Sequence, residues 1–284
     1  MSEHADVKSP VALIAGAGVL PFAVAASLKS RGIESVMFGV RGFCDPVRIA
    51  DVRHHWVAVG QLGRLVRLMR AEKCRDVIFI GGMIRPALRE VRLDWATFRA
   101  LPEIGAALRG GDDHLLKGVS NLFEIRGFRL LGLRDVALDL LMPEGCMTKR
   151  VPDEDAIADI AKGRAILNAI SPFDVGQGIV VVNDHPVAVE DIEGTDALLA
   201  RVARLRENGR LRANTGRGVL VKAPKKGQDV RFDLPALGPR TIEGVAKAGL
   251  AGIAIVAGYT VVADPQAMVD AADRAGLYVI GLPA

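Results

Sequence analysis

Three short stretches in the second half of the chain concentrate the residues that could carry chemistry. They are DVGQ at residues 174–177, EGTD at 193–196 and VKAPKKGQDVRFDLP at 221–235. Ionised carboxylates only accept hydrogen bonds, so a cation or a proton-transfer task is the usual reason for gathering them. Lysines in the same stretches suit a phosphate. The pattern therefore indicates metal-assisted phosphoryl chemistry.

The third stretch holds two carboxylates and an arginine at alternating positions. Asp229 and Asp233 lie four positions apart with Arg231 between them, so in a strand the three side chains would share one face. Two nearby carboxylates repel each other unless a proton or a divalent cation lies between them. Lys222 emerges from an apolar run toward the same loop. Two alternatives stay open, because charge can also blunt an exposed strand edge and EGTD can cap the helix that follows it.

A glycine turn, AGAGVLP at residues 15–21, follows an apolar run and opens a predicted helix. Backbone N–H groups at Gly16, Gly18 and Leu20, together with the helix dipole, could hold a phosphate there. A second glycine pair ends a later strand and adds Gly82 to the candidate substrate-binding residues. The third glycine and the ribose-binding acid of a dinucleotide fingerprint are missing, which argues against NAD. Tight turns that need glycine for steric reasons remain the alternative.

The first half of the chain alternates apolar, strand-like runs with amphipathic segments. Strands are predicted at 11–16, 35–40, 55–60, 76–82 and 128–133, and helices at 20–30, 62–73 and 113–124. Near-continuous apolar strands separated by helices are typical of a parallel sheet covered on both faces. We predict an α/β protein whose residues 1–141 form a Rossmann-like N-terminal domain.

The second half follows a segment, residues 142–155, whose prolines, glycine and mixed charges predict a linker. Residues 156–284 are then predicted to form a C-terminal mixed α+β domain that carries the acidic stretches. Two β-hairpins are expected in it, one turning at Asp184-His185 and one turning at Gly258. Helices are predicted at 156–170, 197–207, 241–248 and 265–275.

Composition narrows the class of protein. The chain has 284 residues and a formal net charge of +4, and only 5% of its residues are aromatic. With so few aromatics and no stacking platform, nucleic acid is not an expected partner. Three widely spaced cysteines fit free thiols in a reducing compartment. The apolar runs are too short to span a bilayer, so we expect a soluble protein.

Four longer segments make the sequence recognisable: LIAGAGVLP, DVGQGIVVV, VAVEDIEGTDALL and the run from GVLVKAPKKGQDVRFDLP to GLAGIAI. In them the chain resembles the LpxI family, the UDP-2,3-diacylglucosamine pyrophosphatases of lipid A biosynthesis. The resemblance implies hydrolysis of UDP-2,3-diacylglucosamine to UMP and 2,3-diacylglucosamine 1-phosphate (lipid X), with Mg²⁺ as cofactor. It also implies a substrate held between two domains and a cytoplasmic enzyme that makes transient contact with the inner-membrane surface. A homo-oligomer is a further expectation.

Within that resemblance we assign roles to the candidate residues. Asp229 is the expected magnesium or water-orienting carboxylate, with Asp233 as the nearest rival and Lys222 as a further catalytic residue. The other predicted metal ligands are Asp174, Glu193 and Asp196. The other predicted substrate-binding side chains, which hold phosphate or sugar hydroxyls, are Gln177, Thr195 and Arg231.

Two other functions remain open from the sequence. One is a regulatory protein that binds the glycolipid precursor without cleaving it, and the other is an NAD-linked oxidoreductase built on the glycine turn. Release of UMP would distinguish the enzyme from the sensor, and titration with a nicotinamide cofactor would test the oxidoreductase.

Overall fold

The computed structural model describes residues 7–82, 92–100, 118, 120–173, 175–225 and 234–284. The described residues divide into two compact units, the first ending at Leu140 and the second beginning at Leu141. No helix within these ranges has both the length and the apolar character needed to cross a membrane.

The first unit contains one parallel sheet with helices. Its strands are β1 (Val11–Ala15), β2 (Ser35–Val40), β3 (His54–Val57), β4 (Asp76–Ile80) and β5 (Arg129–Leu130). Its helices include α1 (Leu20–Ser30), α2 (Leu62–Ala71) and α3 (Leu133–Val136), with 3₁₀ turns at Arg48–Asp51 and Leu138–Leu140. Of the helix predicted at 113–124, residues 118 and 120–124 are described and helical.

The strand order of this sheet is β3-β2-β1-β4-β5, and every pairing is parallel. All residues of β1 are buried, as expected for a strand covered on both faces. The amphipathic spacing of α2 places Leu65, Val66 and Met69 against the sheet, where they are buried. The predicted Rossmann-like architecture is confirmed.

The second unit contains a larger, mixed sheet. Its strands are β6 (Gly145–Cys146), β7 (Gly178–Val182), β8 (His185–Val189), β9 (Val219–Lys222), β10 (Ala236–Leu237), β11 (Gly252–Val256), β12 (Val261–Val262) and β13 (Tyr278–Leu282). Its helices are α4 (Glu154–Ile170), α5 (Gly194–Glu207), α6 (Pro239–Lys247) and α7 (Pro265–Arg274), with a 3₁₀ turn at Ser171–Phe173.

Six of these strands form one sheet in the order β6-β13-β11-β9-β7-β8. Strands β9, β11 and β13 run parallel, whereas β7 is antiparallel to both of its neighbours. Apolar side chains on one face pack with α5, α6 and α7, and those on the other face pack with α4. The predicted mixed α+β architecture of this half is confirmed.

The first predicted hairpin is confirmed, but its turn lies one residue earlier than the predicted Asp184-His185, because His185 already belongs to β8. Strands β7 and β8 pair antiparallel through a turn at Asn183 and Asp184. Both turn residues have positive φ, 50° and 62°, as the two-residue turns that match strand twist require.

The second predicted hairpin, turning at Gly258, is wrong. Strand β11 pairs in parallel with β9 on one edge and with β13 on the other, so neither edge can accept the chain that follows Gly258. That chain leaves the sheet, and its strand β12 pairs in parallel with β10 in a separate two-stranded sheet. The apolar run was read correctly, but sequence alternation does not reveal which edges are already occupied.

The segment predicted as a linker, residues 142–155, contributes structure to the second unit. Met142 is buried in the apolar cluster of this unit. Strand β6 pairs antiparallel with β13. The carboxylate of Asp153 then accepts the backbone N–H of Ala156 and caps α4.

A buried carboxylate fixes the turn between β7 and β8. Asp159 lies on α4 with 2% of its surface exposed. Its two oxygens accept the N–H groups of Asn183, at 3.0 Å, and Asp184, at 2.6 Å. The helix therefore satisfies two donors that a tight turn leaves unpaired.

We expect Asp159→Ala to lower the free energy of unfolding by about 1–3 kcal/mol, because two hydrogen bonds to a buried carboxylate are lost. Asp155→Ala is the matched control on the same helix, where an exposed carboxylate pairs with Arg217. Its expected cost is below about 1 kcal/mol. Denaturant unfolding followed by circular dichroism measures both. Equal losses in the two variants would contradict the assignment.

Candidate active site

Gln177, Thr195 and Lys222, one described residue from each of the three stretches, lie at the edge of the six-stranded sheet where β7 begins and β9 ends. Gly178, the first residue of β7, lies opposite Lys222, the last residue of β9. On the other side of β7, the backbone N–H of Glu190 donates to the carbonyl of Gly178 at 2.7 Å. Glu190, Gly178 and Lys222 therefore form a row across three neighbouring strands.

All three residues of this row face the same side of the sheet. Side chains alternate along a strand, so Lys222 shares the face of Leu220, and Glu190 shares the face of Ala188. Leu220 and Ala188 pack in the apolar cluster that includes Leu198 of α5. The two charged side chains therefore lie at the end of an apolar layer, next to the first turn of α5.

Thr195, in that first turn, joins the two charges. Its hydroxyl donates to Glu190 Oε1 at 2.9 Å and accepts a hydrogen bond from Lys222 Nζ. The distance from Lys222 Nζ to Glu190 Oε2 is 3.6 Å. We call Glu190, Thr195 and Lys222 the edge triad.

Glycine at position 178 makes the edge triad possible. Glu190 and Lys222 lie on strands that are two apart, so the side chain between them would normally separate them. A Cβ on Gly178 would lie 2.4 Å from Glu190 Oε2. Gly176 is confined as well, because its Cβ would lie 1.9 Å from the carbonyl oxygen of Glu190. The glycines of DVGQG thus leave room for Glu190.

Both charges of the edge triad are nearly out of solvent. Lys222 is 4% exposed and Glu190 is 7% exposed. Burial lowers the pKa of Lys222 below its ordinary value, against the opposing charges of Glu190 and Asp196. The site thus holds a desolvated lysine between a carboxylate and a hydroxyl, an arrangement that can bind an anionic oxygen.

The predicted metal ligands that are described are engaged with arginines. Glu193 Oε1 accepts Arg201 Nη2 at 2.6 Å, and the same nitrogen donates to the carbonyl of Val189 at 2.7 Å. Asp196 pairs with Arg240 at 3.1 Å, with both side chains exposed. Within the described ranges, no group of three or more His, Cys, Asp or Glu side chains could hold a metal ion.

Gln177 lies at the same edge. Its backbone carbonyl accepts the N–H of Ala223 at 3.0 Å. Its side-chain oxygen is buried and has no hydrogen-bond partner among the described residues. The remaining predicted site residues, Asp174, Asp229, Arg231 and Asp233, lie outside the described residues, so their roles stay predictions.

The candidate residues of the first unit meet at the carboxyl ends of β1 and β4. Ala17 and Gly82 exchange two backbone hydrogen bonds, at 2.8 and 3.0 Å, and the N–H of Gly16 donates to Ile80 at 2.9 Å. A Cβ on Gly16 would lie 2.6 Å from the carbonyl oxygen of Gly82. The glycine at position 16 is therefore required by close packing of two backbones.

The N–H groups that follow are available. No hydrogen bond among the described residues uses the N–H of Gly18, Val19 or Leu20, and the first turn of α1 contains no acidic residue. Strands β1 and β4 are neighbours in the order β3-β2-β1-β4-β5, which is the point where open parallel sheets bind ligands outside their carboxyl ends. A phosphate group would be stabilised there by the helix dipole.

Two family profiles match nearly the whole chain. The profile of the LpxI N-terminal domain matches residues 10–140, and that of the LpxI C-terminal domain matches residues 143–280. The chain belongs to the LpxI family. A curated member from Caulobacter vibrioides, UDP-2,3-diacylglucosamine pyrophosphatase LpxI, is 40% identical over 270 residues, which cover 95% of this chain and 96% of that protein.

In this LpxI chain the structure brings together some of the predicted residues and adds others. Thr195 and Lys222 are in contact, and Gln177 lies at the same sheet edge. Glu190, which sequence reasoning did not single out, completes the edge triad. Its signal was available: VAVE places an acid at a position where alternation predicts an inward-facing apolar residue, and VLVK does the same with a lysine.

A polar pocket of the LpxI C-terminal unit lies elsewhere. It has a volume of about 540 Å³ and lies near the turn between β7 and β8, at the opposite edge from Lys222. Its carboxylates are already used: Asp159 holds that turn, Asp155 pairs with Arg217, and Asp184 pairs with Lys162. We therefore assign this pocket no part in the active site.

We expect Gly16→Ala to lower the stability of the first unit by about 1–3 kcal/mol, since the added methyl group meets backbone atoms that cannot rotate away. Gly82→Ala is the matched control, because a Cβ there meets nothing within 4 Å. The fluorescence of Trp56 and Trp95, the two tryptophans of the chain, reports unfolding of this unit. Equal losses in the two variants would contradict the close-packing explanation.

Proposed function

We propose that this chain hydrolyses the pyrophosphate bond of UDP-2,3-diacylglucosamine in lipid A biosynthesis, releasing UMP and lipid X. The observation that carries the proposal is 40% identity over 95% of the chain to the pyrophosphatase from Caulobacter vibrioides. The family profiles, which match both units, support it further.

The chemistry of the edge triad agrees with this substrate class. A pyrophosphate resists attack by water because both phosphorus atoms are surrounded by negative oxygens, so cationic groups are the natural aids. Lys222 presents an ammonium group at the edge where Gln177 and Thr195 also lie. In our proposal Lys222 binds a phosphoryl oxygen, while Gln177 and Thr195 orient phosphate or sugar hydroxyls.

The N–H groups of Gly18 and Leu20, for which the described part of the chain provides no acceptor, suit an anionic group of the substrate. The N–H groups of Gly16 and Gly82 are already occupied by backbone carbonyls. Of the residues proposed for substrate binding there, Gly18 and Leu20 are therefore the ones whose N–H groups can meet a phosphate.

Magnesium is the proposed cofactor, and the donor types fit it. Mg²⁺ binds carboxylate and amide oxygens and keeps several waters, so one or two protein carboxylates suffice. Asp229 and Asp174 would hold it, whereas Glu193 and Asp196 would first have to leave Arg201 and Arg240. Bound there, the ion would neutralise charge on the pyrophosphate.

The remaining proposals concern roles and location. Asp229 orients the attacking water or binds the ion, Asp233 is the alternative carboxylate, and Arg231 binds a substrate phosphate. Because the substrate carries two acyl chains, the enzyme would act at the cytoplasmic face of the inner membrane, aided by the formal net charge of +4.

We expect the purified chain to release UMP from UDP-2,3-diacylglucosamine with Mg²⁺ present, and to lose that activity with excess EDTA. Mass spectrometry of the products measures both, and restoring Mg²⁺ after EDTA is the control. Binding of the substrate without any release of UMP would support a sensor and overturn the enzyme.

We expect Asp229→Ala to lower kcat by about 100- to 1000-fold, as loss of other groups that stabilise transition-state charge does, with substrate binding retained. Asp270→Ala is the matched control, since it removes an exposed carboxylate on α7 that bonds Gln266. Steady-state kinetics and substrate titration check the pair. If the kcat of Asp229→Ala stays within several-fold of the parent value, Asp229 does not have the proposed role and Asp233 becomes the candidate.

A further inference from the structure

The edge triad contains a buried charge pair, an arrangement that is weak evidence for a role in stability. Removing two charges from water costs several kcal/mol each, and apolar side chains of similar volume are often equally or more stable in the same place. The side chains of Lys222 and Glu190 are only 5% and 9% exposed. Retaining them at the carboxyl edge of β9 therefore points to a task outside folding.

The charged groups of Lys222 and Glu190 are too far apart for a direct hydrogen bond. Glu190 Oε2 lies 3.6 Å from Lys222 Nζ and is buried without a hydrogen-bond partner among the described residues. Thr195 is the acceptor for Lys222 within hydrogen-bond distance in the described part of the chain. An ammonium group has three N–H donors, so Lys222 keeps donors that a ligand can use.

Glu190 itself is fixed from two directions. Its backbone N–H bonds to Gly178, and its Oε1 accepts the hydroxyl of Thr195. Its Oε2 lies where a side chain at position 178 would be, as the 2.4 Å approach to a Cβ there shows. Any movement of the carboxylate away from this position would break its hydrogen bond with Thr195.

We propose that Glu190 is a positioning residue, which acts across Gly178 and through Thr195 to hold the Lys222 ammonium toward a phosphoryl oxygen of the substrate. This inference rests on the proposed pyrophosphatase function. Before the substrate binds, the carboxylate balances the lysine charge. When an anionic oxygen binds, it takes up the donors of Lys222 that are not used by Thr195.

A double-mutant cycle tests whether Glu190 works through Lys222. We expect Glu190→Gln to lower kcat by roughly 10- to 100-fold, the size of loss known for partners that orient metal-binding side chains. In a Lys222→Met background the same change should cost less than about twofold, since the group it positions is gone. Glu190→Asp, which keeps the charge, should recover part of the loss. Glu207→Gln on α5 is the control for removing an exposed carboxylate.

Stability distinguishes positioning from a structural tie. In the double variant Glu190→Met with Lys222→Met, the thermal midpoint should equal or exceed that of the parent, although activity is lost. A midpoint lower by more than about 4 °C would show that the pair holds the fold and would overturn the proposal. If Glu190→Gln does not fold, Glu190→Asp carries the cycle in its place.

Titration with UMP separates failure of this inference from failure of the proposed function. Calorimetry measures the affinity for UMP of the parent, Glu190→Gln, Lys222→Met and the variant that combines the last two changes. Glu190→Gln should weaken UMP binding in the parent and not in the Lys222→Met background. If the effects of Glu190→Gln and Lys222→Met on UMP binding are coupled but UDP-2,3-diacylglucosamine is not hydrolysed, the positioning role of Glu190 stands and the proposed function is overturned. If the parent hydrolyses the substrate and Glu190→Gln lowers kcat equally in both backgrounds, only the positioning role of Glu190 is overturned.

Discussion

An ammonium group is buried beside a carboxylate at the end of an apolar sheet, and this pair limits which residues can lie next to it. Lys222 and Glu190 can meet only because Gly178 lies between them and has no side chain. Thr195 then has to arrive at the start of α5 with its hydroxyl able to accept from one charge and donate to the other. An unpaired member of this set would cost more than the pair does, so the set is retained or lost together.

The position of α5 follows from the same constraint. Arg201 of this helix bonds the carbonyl of Val189 and the carboxylate of Glu193, which ties the helix to the end of β8 and to the loop that follows. The buried face of the helix, with Leu198 and Val202, packs on the sheet. Apolar packing thus sets the distance of α5 from the sheet, and polar contacts set its first turn over Gly178 and Lys222.

Local sequence patterns predicted the elements well and the pairing of strands less well. Helix α1 and strand β2 were predicted with the bounds that the structure has, because glycine turns and apolar runs mark them. The hairpin between β7 and β8 was predicted because its turn is local, although the turn lies at Asn183 and Asp184, one residue before the predicted Asp184-His185. The one expected at Gly258 failed because β9 and β13 already occupy both edges of β11, which no local pattern encodes.

The site was predictable to the same extent. Thr195 and Lys222 stand out in sequence as polar residues at the ends of apolar runs, and the structure joins them. Glu190 was missed because its importance comes from a residue two strands away and from a glycine between them. The carboxylates predicted to bind magnesium were selected only by residue type and spacing. Asp174, Asp229 and Asp233 lie outside the described residues, so their roles rest on the sequence and on the family.

Glycine serves opposite purposes at the two sheet edges. At Gly16 the missing side chain lets one backbone lie against another, which occupies the N–H groups of Gly16 and Gly82 and leaves those of Gly18 and Leu20 for an anion. At Gly178 the missing side chain lets two charged side chains approach across a strand. The first edge therefore presents fixed backbone dipoles and the second a desolvated cation. An anionic phosphoryl oxygen suits either kind of group, because each offers N–H donors and positive charge, whereas a neutral ligand would not offset the desolvation of Lys222.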